Sequence, residues 1–267
     1  MATDRNTEAR TQAAGHDDVP FDPALFEGLA QLEPGHFWFE PRNHLILQLL
    51  NHYFPMARSM LEVGCGTGFV LQAIHQAHPT WQLVGSDFYE EALTYCRQRL
   101  SDVELVRADA RQIPFEDQFD VVGAFDMLEY VDDDESALRQ FHRALHPGGG
   151  ILLTVPQHPF LWSPTDEQAC HQRRYTRKGM RALLESCDFR VECMTSFAWL
   201  PFPLMLLSRF LGRLRKTRTN EDPLNGLRVS KTVNHCLRWM LEREVGLSKL
   251  GLRMPFGGSL VALATRS

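Results

Sequence analysis

The chain has 267 residues with 28 Lys+Arg against 33 Asp+Glu, a formal net charge of −5. That length buries a substantial core and suits one α/β domain with additions better than two full domains, and the mildly acidic balance gives no global electrostatic case for nucleic acid as a partner. Six cysteines, at 65, 96, 170, 187, 193 and 236, form no Cys-x-x-Cys pair and no zinc spacing, the usage expected of reduced thiols in a cytoplasmic protein.

Residues 1–20 are polar and small, without the apolar run of a secretory signal, and read as a disordered leader. Residues 21–56 read as an N-terminal helical lid. A short helix over 21–32 leads to an aromatic cluster, Phe37, Trp38 and Phe39, and then to a helix carrying Leu45, Leu47, Leu49 and Leu50. Two roles stand open for these aromatics: plugs that hold the helices to the core, or a cover over a ligand, in which Trp38 is the substrate candidate.

Residues 57–198 read as the core. Met60-Leu-Glu-Val-Gly-Cys-Gly-Thr-Gly68 is an apolar strand with one acid, Glu62, running into glycines at 64, 66 and 68 before a helix from Phe69. Strand, glycine turn and helix make a cradle for a nucleotide cofactor. The spacing is wrong for a dinucleotide fingerprint, whose third glycine would fall on Phe69, and for a phosphate loop, which needs Gly-Lys-Ser/Thr. The second strand, 81–84, is followed by Asp87, whose carboxylate either accepts a pair of ribose hydroxyls or caps the helix over 90–100. The third strand, 103–106, leads to Asp109 and Ala110. The fourth, 119–125, is apolar along nearly its whole length, as a strand covered on both faces should be. After Asp126-Met-Leu-Glu-Tyr130 comes a helix with Leu138, Phe141 and Leu145, stopped by His146-Pro-Gly-Gly-Gly150 before a fifth strand over 151–155.

Taken in order over roughly 60–155, the acid with Gly-x-Gly-x-Gly, the acids after the second and third strands, the apolar fourth strand and the helix, Pro-Gly-Gly turn and strand resemble the class I S-adenosylmethionine (SAM) dependent methyltransferases. The resemblance implies a Rossmann-like α/β fold: a doubly wound, mostly parallel seven-stranded sheet with an antiparallel last strand. It also implies an N-terminal helical lid and a helical insertion before that last strand. Strands over 190–197 and 259–265 are the candidates for the sixth and seventh. The implied cofactor is SAM, leaving as S-adenosylhomocysteine. Gly64, Gly66, Gly68 and Glu62 would cradle it, Asp87 would hold the ribose, Asp109 the adenine amino group beside the Ala110 N–H, and Phe125 would stand at the same strand edge. Arg42 would meet the methionine carboxylate, which a planar guanidinium matches bidentately.

The segment from Asp126 to Tyr130 is similar to that of the ubiquinone-biosynthesis O-methyltransferases and their relatives, in which a histidine usually stands where this chain has Tyr130. Two carboxylates without that imidazole make an incomplete metal site, and no metal is expected. No Asn/Asp-Pro-Pro-Tyr/Phe follows the fourth strand, which counts against the enzymes that methylate amino groups of DNA bases and glutamine. Beyond the fifth strand, Asp166-Glu-Gln-Ala-Cys-His171-Gln-Arg-Arg174-Tyr175 is the stretch richest in chemistry. His171 is the candidate base, since imidazole titrates near working pH, with a structural hydrogen-bonding role as its alternative. Tyr130, Arg174 and Tyr175 are the substrate candidates. Arg173 and Arg174 would hold an anionic group or form salt bridges, and Thr176 would cap the next helix.

Residues 199–258 form the helical insertion and 259–267 the final strand. The apolar stretch 197–211, broken by Pro201, Pro203 and Arg209, is shorter than the roughly 20 residues of a membrane span. It is followed by a basic run at Arg209, Arg213, Arg215, Lys216 and Arg218. Within 199–218 two readings stand: a hydrophobic lid or homodimer contact, and a peripheral helix that sets its apolar side into lipid and its cations against anionic headgroups. A helix over 231–245, with Val233, Leu237 and Leu241 four apart, should close over the same face. The function expected is methyl transfer from SAM to an oxygen or nitrogen of a small-molecule acceptor. The alternatives are an O-methyltransferase of a lipid or lipid-linked intermediate at the membrane surface and a non-catalytic SAM-binding or scaffold protein.

Overall fold

The computed structural model describes residues 21–214, 223–249 and 251–267. The leader 1–20 and the cations Arg215, Lys216 and Arg218 lie outside the described residues, as do the side chains of Arg209 and Arg213.

Seven strands form one sheet: β1 Ser59–Val63, β2 Gln82–Asp87, β3 Glu104–Arg107, β4 Phe119–Phe125, β5 Leu145–Pro156, β6 Phe189–Phe197 and β7 Ser259–Arg266. Their spatial order is β3-β2-β1-β4-β5-β7-β6. The pairs from β3 through β5 are parallel, and β7 runs antiparallel between β5 and β6. This is the expected doubly wound sheet with an antiparallel last strand. The order reverses between β1 and β4, where open α/β sheets place ligands beyond the carboxyl ends of their strands.

Successive side chains of a strand face opposite sides, so a strand buried on both faces feeds two cores. On one side Leu61, Val122, Leu153 and Ala262 meet helices α5 (Asp134–Ala144) and α7 (Arg177–Ser186) through Phe141, Met180 and Leu184. On the other, Met60, Val121, Leu152 and Val261 meet α2 (Phe39–Tyr53), α3 (Phe69–Ala77) and α4 (Glu90–Arg99) through Leu50, Ile74 and Leu93. Helix α1 (Leu25–Leu32) lies against α4, and the short α6 (Pro164–Gln168) precedes α7. Thr176 caps α7 as expected, its hydroxyl accepting the Gly179 N–H at 2.9 Å.

Several details differ from expectation. Helix α1 starts at Leu25 rather than 21, and the strand after α5 begins at Leu145, so the Pro-Gly-Gly segment is part of β5. In the insertion, α8 (Phe202–Leu214) precedes α9 (Lys231–Ser248), and α9 packs on α2 mainly through its second half: Leu241 and Val245 are buried while Val233 is exposed. Among the described residues no helix is long and apolar enough to cross a membrane.

Candidate active site

The glycine turn after β1 is held from both sides. The Gly64 and Cys65 N–H groups donate to the Ser86 carbonyl at 2.8 and 2.9 Å, and Gly66 N–H donates to Asp87 Oδ2 at 2.8 Å. At Gly66, φ is +54° and an added Cβ would meet nothing within 4 Å, so the backbone there faces open space. At Gly68, φ is +77° and a Cβ would fall 2.4 Å from Cys96 Sγ, so glycine permits α3 to pack on α4. Asp87 closes the turn, its Oδ1 accepting the Tyr89 N–H at 3.0 Å. It thus forms a local turn into α4, whose N-cap is Tyr89, and keeps free lone pairs on both oxygens for a pair of hydroxyls. Burial pushes its carboxyl up to about 6, against the pull of the backbone N–H donors.

Beside the turn sits a buried charge cluster. Arg42 of α2 pairs through Nη1 with Asp126 Oδ2. Asp126, at φ +53° just past β4, also accepts the Thr154 hydroxyl at 2.9 Å. Glu62 and Glu129 are 2% and 1% exposed, and burial raises both carboxyls well above the ordinary range. One carboxylate oxygen of each, and Nε of Arg42, are buried without a hydrogen-bond partner. Orphaned donors and acceptors of this kind call for a partner. A ligand ending in both an ammonium and a carboxylate would meet the need, with Arg42 Nε placed to donate to the carboxylate and Glu62 to accept from the ammonium. The residues present therefore fit the methionine end of SAM, with Asp87 for its ribose.

Other expected cofactor residues are more constrained. The Asp109 carboxylate is clasped by Arg111, Nε to Oδ1 at 3.0 Å and Nη2 to Oδ2 at 2.7 Å, which lowers its pKa. Ala110 is buried next to it. The Phe125 ring turns into the core, against the space a Gly123 Cβ would take, so only its backbone belongs to the strand edge. Trp38 is half-buried and packs its ring 5.5 Å from Phe197, so it helps plug α2 onto the sheet, one of the two roles open to it.

A second polar group is built by the chain after β5. His171 Nε2 lies 3.2 Å from the Tyr130 hydroxyl, and Nδ1 lies 3.2 Å from Asp166 Oδ1. Ionised Asp166 can only accept, so the network assigns the ring proton to Nδ1 and leaves Nε2 to accept from Tyr130. Asp166 is 1% exposed; burial would raise its pKa, but the His171 hydrogen bond, the Arg174 charge and the Ser163 hydroxyl hold it far below the usual range. Burial and the charges of Glu129 and Asp126 push the Tyr130 phenol up, so it stays protonated. Arg174 is committed to this frame, with Nε 2.7 Å from Asp166 Oδ1 and Nη1 3.1 Å from the Gln157 carbonyl, and so is a support rather than a substrate anchor. Arg173 pairs with Asp134 at 3.0 Å. Tyr175 is likewise corrected: its ring is in the core and its hydroxyl donates to Asp134 at 2.9 Å.

Sequence reasoning missed the tie between cover and cradle. Thr67, in the glycine turn, donates its hydroxyl to buried Glu33 at 2.7 Å, and Glu33 pairs with Arg99 at 2.6 Å. Nothing local in the sequence marks partners 34 positions apart. Among the described residues no group of three or more His, Cys, Asp or Glu is placed to hold a metal ion.

The family model described as "Methyltransferase domain" matches residues 61–153. A probable S-adenosylmethionine-dependent methyltransferase of Mycolicibacterium smegmatis is 29% identical over 160 residues, 58% of this chain and 60% of that protein. A demethylmenaquinone methyltransferase of Staphylococcus aureus is 37% identical over 106 residues, 38% of this chain and 44% of that protein. The chain thus spans less than two thirds of the length of either relative. Among solved structures, the Haemonchus contortus phosphoethanolamine N-methyltransferase 2 in complex with SAM superposes with a TM-score of 0.60 at 17% identity, covering 92% of this chain and 57% of that one. Glycine turn, strand-end acids, sheet order and sequence match agree: residues 61–153 are a class I SAM-dependent methyltransferase domain, and SAM is the cofactor of that family.

Proposed function

We propose that this protein transfers a methyl group from SAM to an oxygen or nitrogen of a small-molecule acceptor, with His171 as the base. The observation that carries the reading is the hydrogen-bonded series Tyr130, His171, Asp166 at the carboxyl edge of the sheet, next to the Arg42–Asp126 cluster. Bound SAM supplies a methyl that is already electrophilic on its sulfonium. The chain has to orient a nucleophile, exclude water and accept one proton. Arg42, Glu62 and Asp87 hold the two ends of the cofactor, and Asp109 with the Ala110 N–H faces the adenine. Tyr130 contacts the acceptor. As the acceptor oxygen or nitrogen gains the methyl, its proton passes to the Tyr130 oxygen while the phenolic proton moves to His171 Nε2. The imidazolium that results is stabilised by Asp166, which Arg174 and Ser163 keep in place.

The S. aureus relative is named a demethylmenaquinone methyltransferase, which supports a small-molecule acceptor and leaves the methylated atom open. A second reading, an acceptor carried at a lipid surface, is favoured by the exposed leucines of α8. The test is formation of S-adenosylhomocysteine with a panel of small acceptors. His171→Gln should bind S-adenosylhomocysteine as the wild type does yet lose turnover; binding with no turnover on any acceptor by the wild type would leave a SAM-binding protein in place of an enzyme.

A further inference from the structure

Helix α8 turns toward solvent side chains that a core or a pocket would take. Leu204 and Leu207, one turn apart on the same face, are each 54% exposed, and Leu206 is 38% exposed. Two loops add aromatic surface beside it: Phe160 after β5 is 59% exposed and Phe256 before β7 is 46% exposed. Phe202, the first residue of α8, joins them, its ring 5.6 Å from Phe256 and 5.7 Å from His158, which lies 5.0 Å from Phe160. A lid would turn these leucines inward. Several large apolar side chains exposed on neighbouring segments mark an interaction site.

Charge identifies the partner. From Trp199 to Thr219 the sequence holds no Asp or Glu, and between positions 209 and 218 it holds five cations, in a chain that is net negative. Exposed aliphatic side chains at the start of a helix, followed by a basic run, supply the two signals that a stable contact with lipid requires: apolar insertion at the acyl boundary and attraction to anionic headgroups. We propose that α8, with Phe160 and Phe256, docks this protein on the surface of an anionic phospholipid bilayer without crossing it. The docked face adjoins the acceptor side of the site, because His158 follows Gln157, whose carbonyl holds Arg174 and through it Asp166. An acceptor dissolved in the bilayer would then meet the site from the membrane. The docking itself does not depend on methyl transfer.

The experiment is flotation of the full chain with vesicles of phosphatidylcholine, alone or with one third phosphatidylglycerol. The expected result is binding to the anionic vesicles only, weakened in about 0.5 M salt. Replacing Leu204 and Leu207 by serine should lower the partition coefficient about tenfold or more, since each buried leucine contributes substantially to transfer. Both positions are exposed, so an unchanged melting temperature shows that the variant is folded. Arg215→Glu with Lys216→Glu should remove the preference for anionic lipid. No flotation at low salt would overturn the proposal, as would equal flotation of the leucine variant. A dimer in sedimentation that the leucine variant dissolves, with no vesicle binding by either protein, would assign the face to a second copy of this chain instead.

Discussion

Replacing Asp87 by Asn keeps the shape of the side chain and one acceptor oxygen but removes its charge and one hydroxyl partner. In the structure both carboxylate oxygens already take a backbone N–H, from Gly66 and Tyr89, and each keeps capacity for one ribose hydroxyl. Losing one hydrogen bond to a charged group costs about 1.5–3 kcal/mol, which weakens binding roughly 10- to 150-fold. The pH dependence adds a second signature. With the carboxyl at about 6 in the free protein, only the ionised form accepts both hydroxyls, so affinity is level above that value and falls about tenfold per pH unit below it. The Asn variant has no such titration. Calorimetric titration with S-adenosylhomocysteine from pH 5 to 8 reads both effects at once. Wild-type affinity in the variant, or a variant that keeps the wild-type acid slope, would show that Asp87 does not hold the ribose.

Three further outcomes follow from named contacts. Tyr130→Phe should lower kcat by about 10²-fold or more without weakening SAM binding, and a Phe variant with wild-type turnover on an identified acceptor would remove the phenol from the proton path. Glu244 of α9 accepts the Trp199 and Leu200 N–H groups at 2.9 and 3.2 Å, and burial pushes it up to about 7. Between its unfolded value and that one the native state holds the extra proton, so this group's contribution to stability is greatest in acid and declines as pH rises through the window, by up to about 3 kcal/mol. Urea unfolding at pH 5 and 8 should show that Glu244→Gln removes this part of the pH dependence; an unchanged difference would contradict it. Thr67→Val should cost about 1.5–3 kcal/mol through the lost bond to Glu33 and speed amide exchange in α1, and unaltered exchange there would show that α1 is held by other contacts.

The sheet was legible because its strands are apolar runs that end in glycine or acid at regular intervals, and because helix, Pro-Gly-Gly and strand follow one another in a fixed order. The places of the expected cofactor residues followed from the same pattern, as with Asp87, whose position after an apolar strand also fixes its place in space. The acceptor side was legible as composition but not as roles. Arg174 and His171 were visible as polar residues in one loop. That both converge on Asp166 depends on the reversal at Cys170, φ +58°, and on the Ser163 capping box, neither of which has a period to read. Trp38 and Tyr175 show the limit of pattern, which alone does not separate an aromatic that lines a ligand from one that fills a core. The Arg42–Asp126 pair joins residues 84 positions apart, and the left-handed backbone that turns Asp126 toward it is stored in the tertiary structure.

Besides their apolar packing, the first two helices have polar ties to the glycine turn and the strand edge that share a neighbourhood: Thr67 to Glu33, the Asn43 amide to the Phe69 carbonyl at 3.1 Å, and Arg42 to Asp126. With the cofactor seated as proposed, displacing these helices would disturb its berth in the same motion, so admission and discharge would be a single cooperative event rather than the swing of an independent flap.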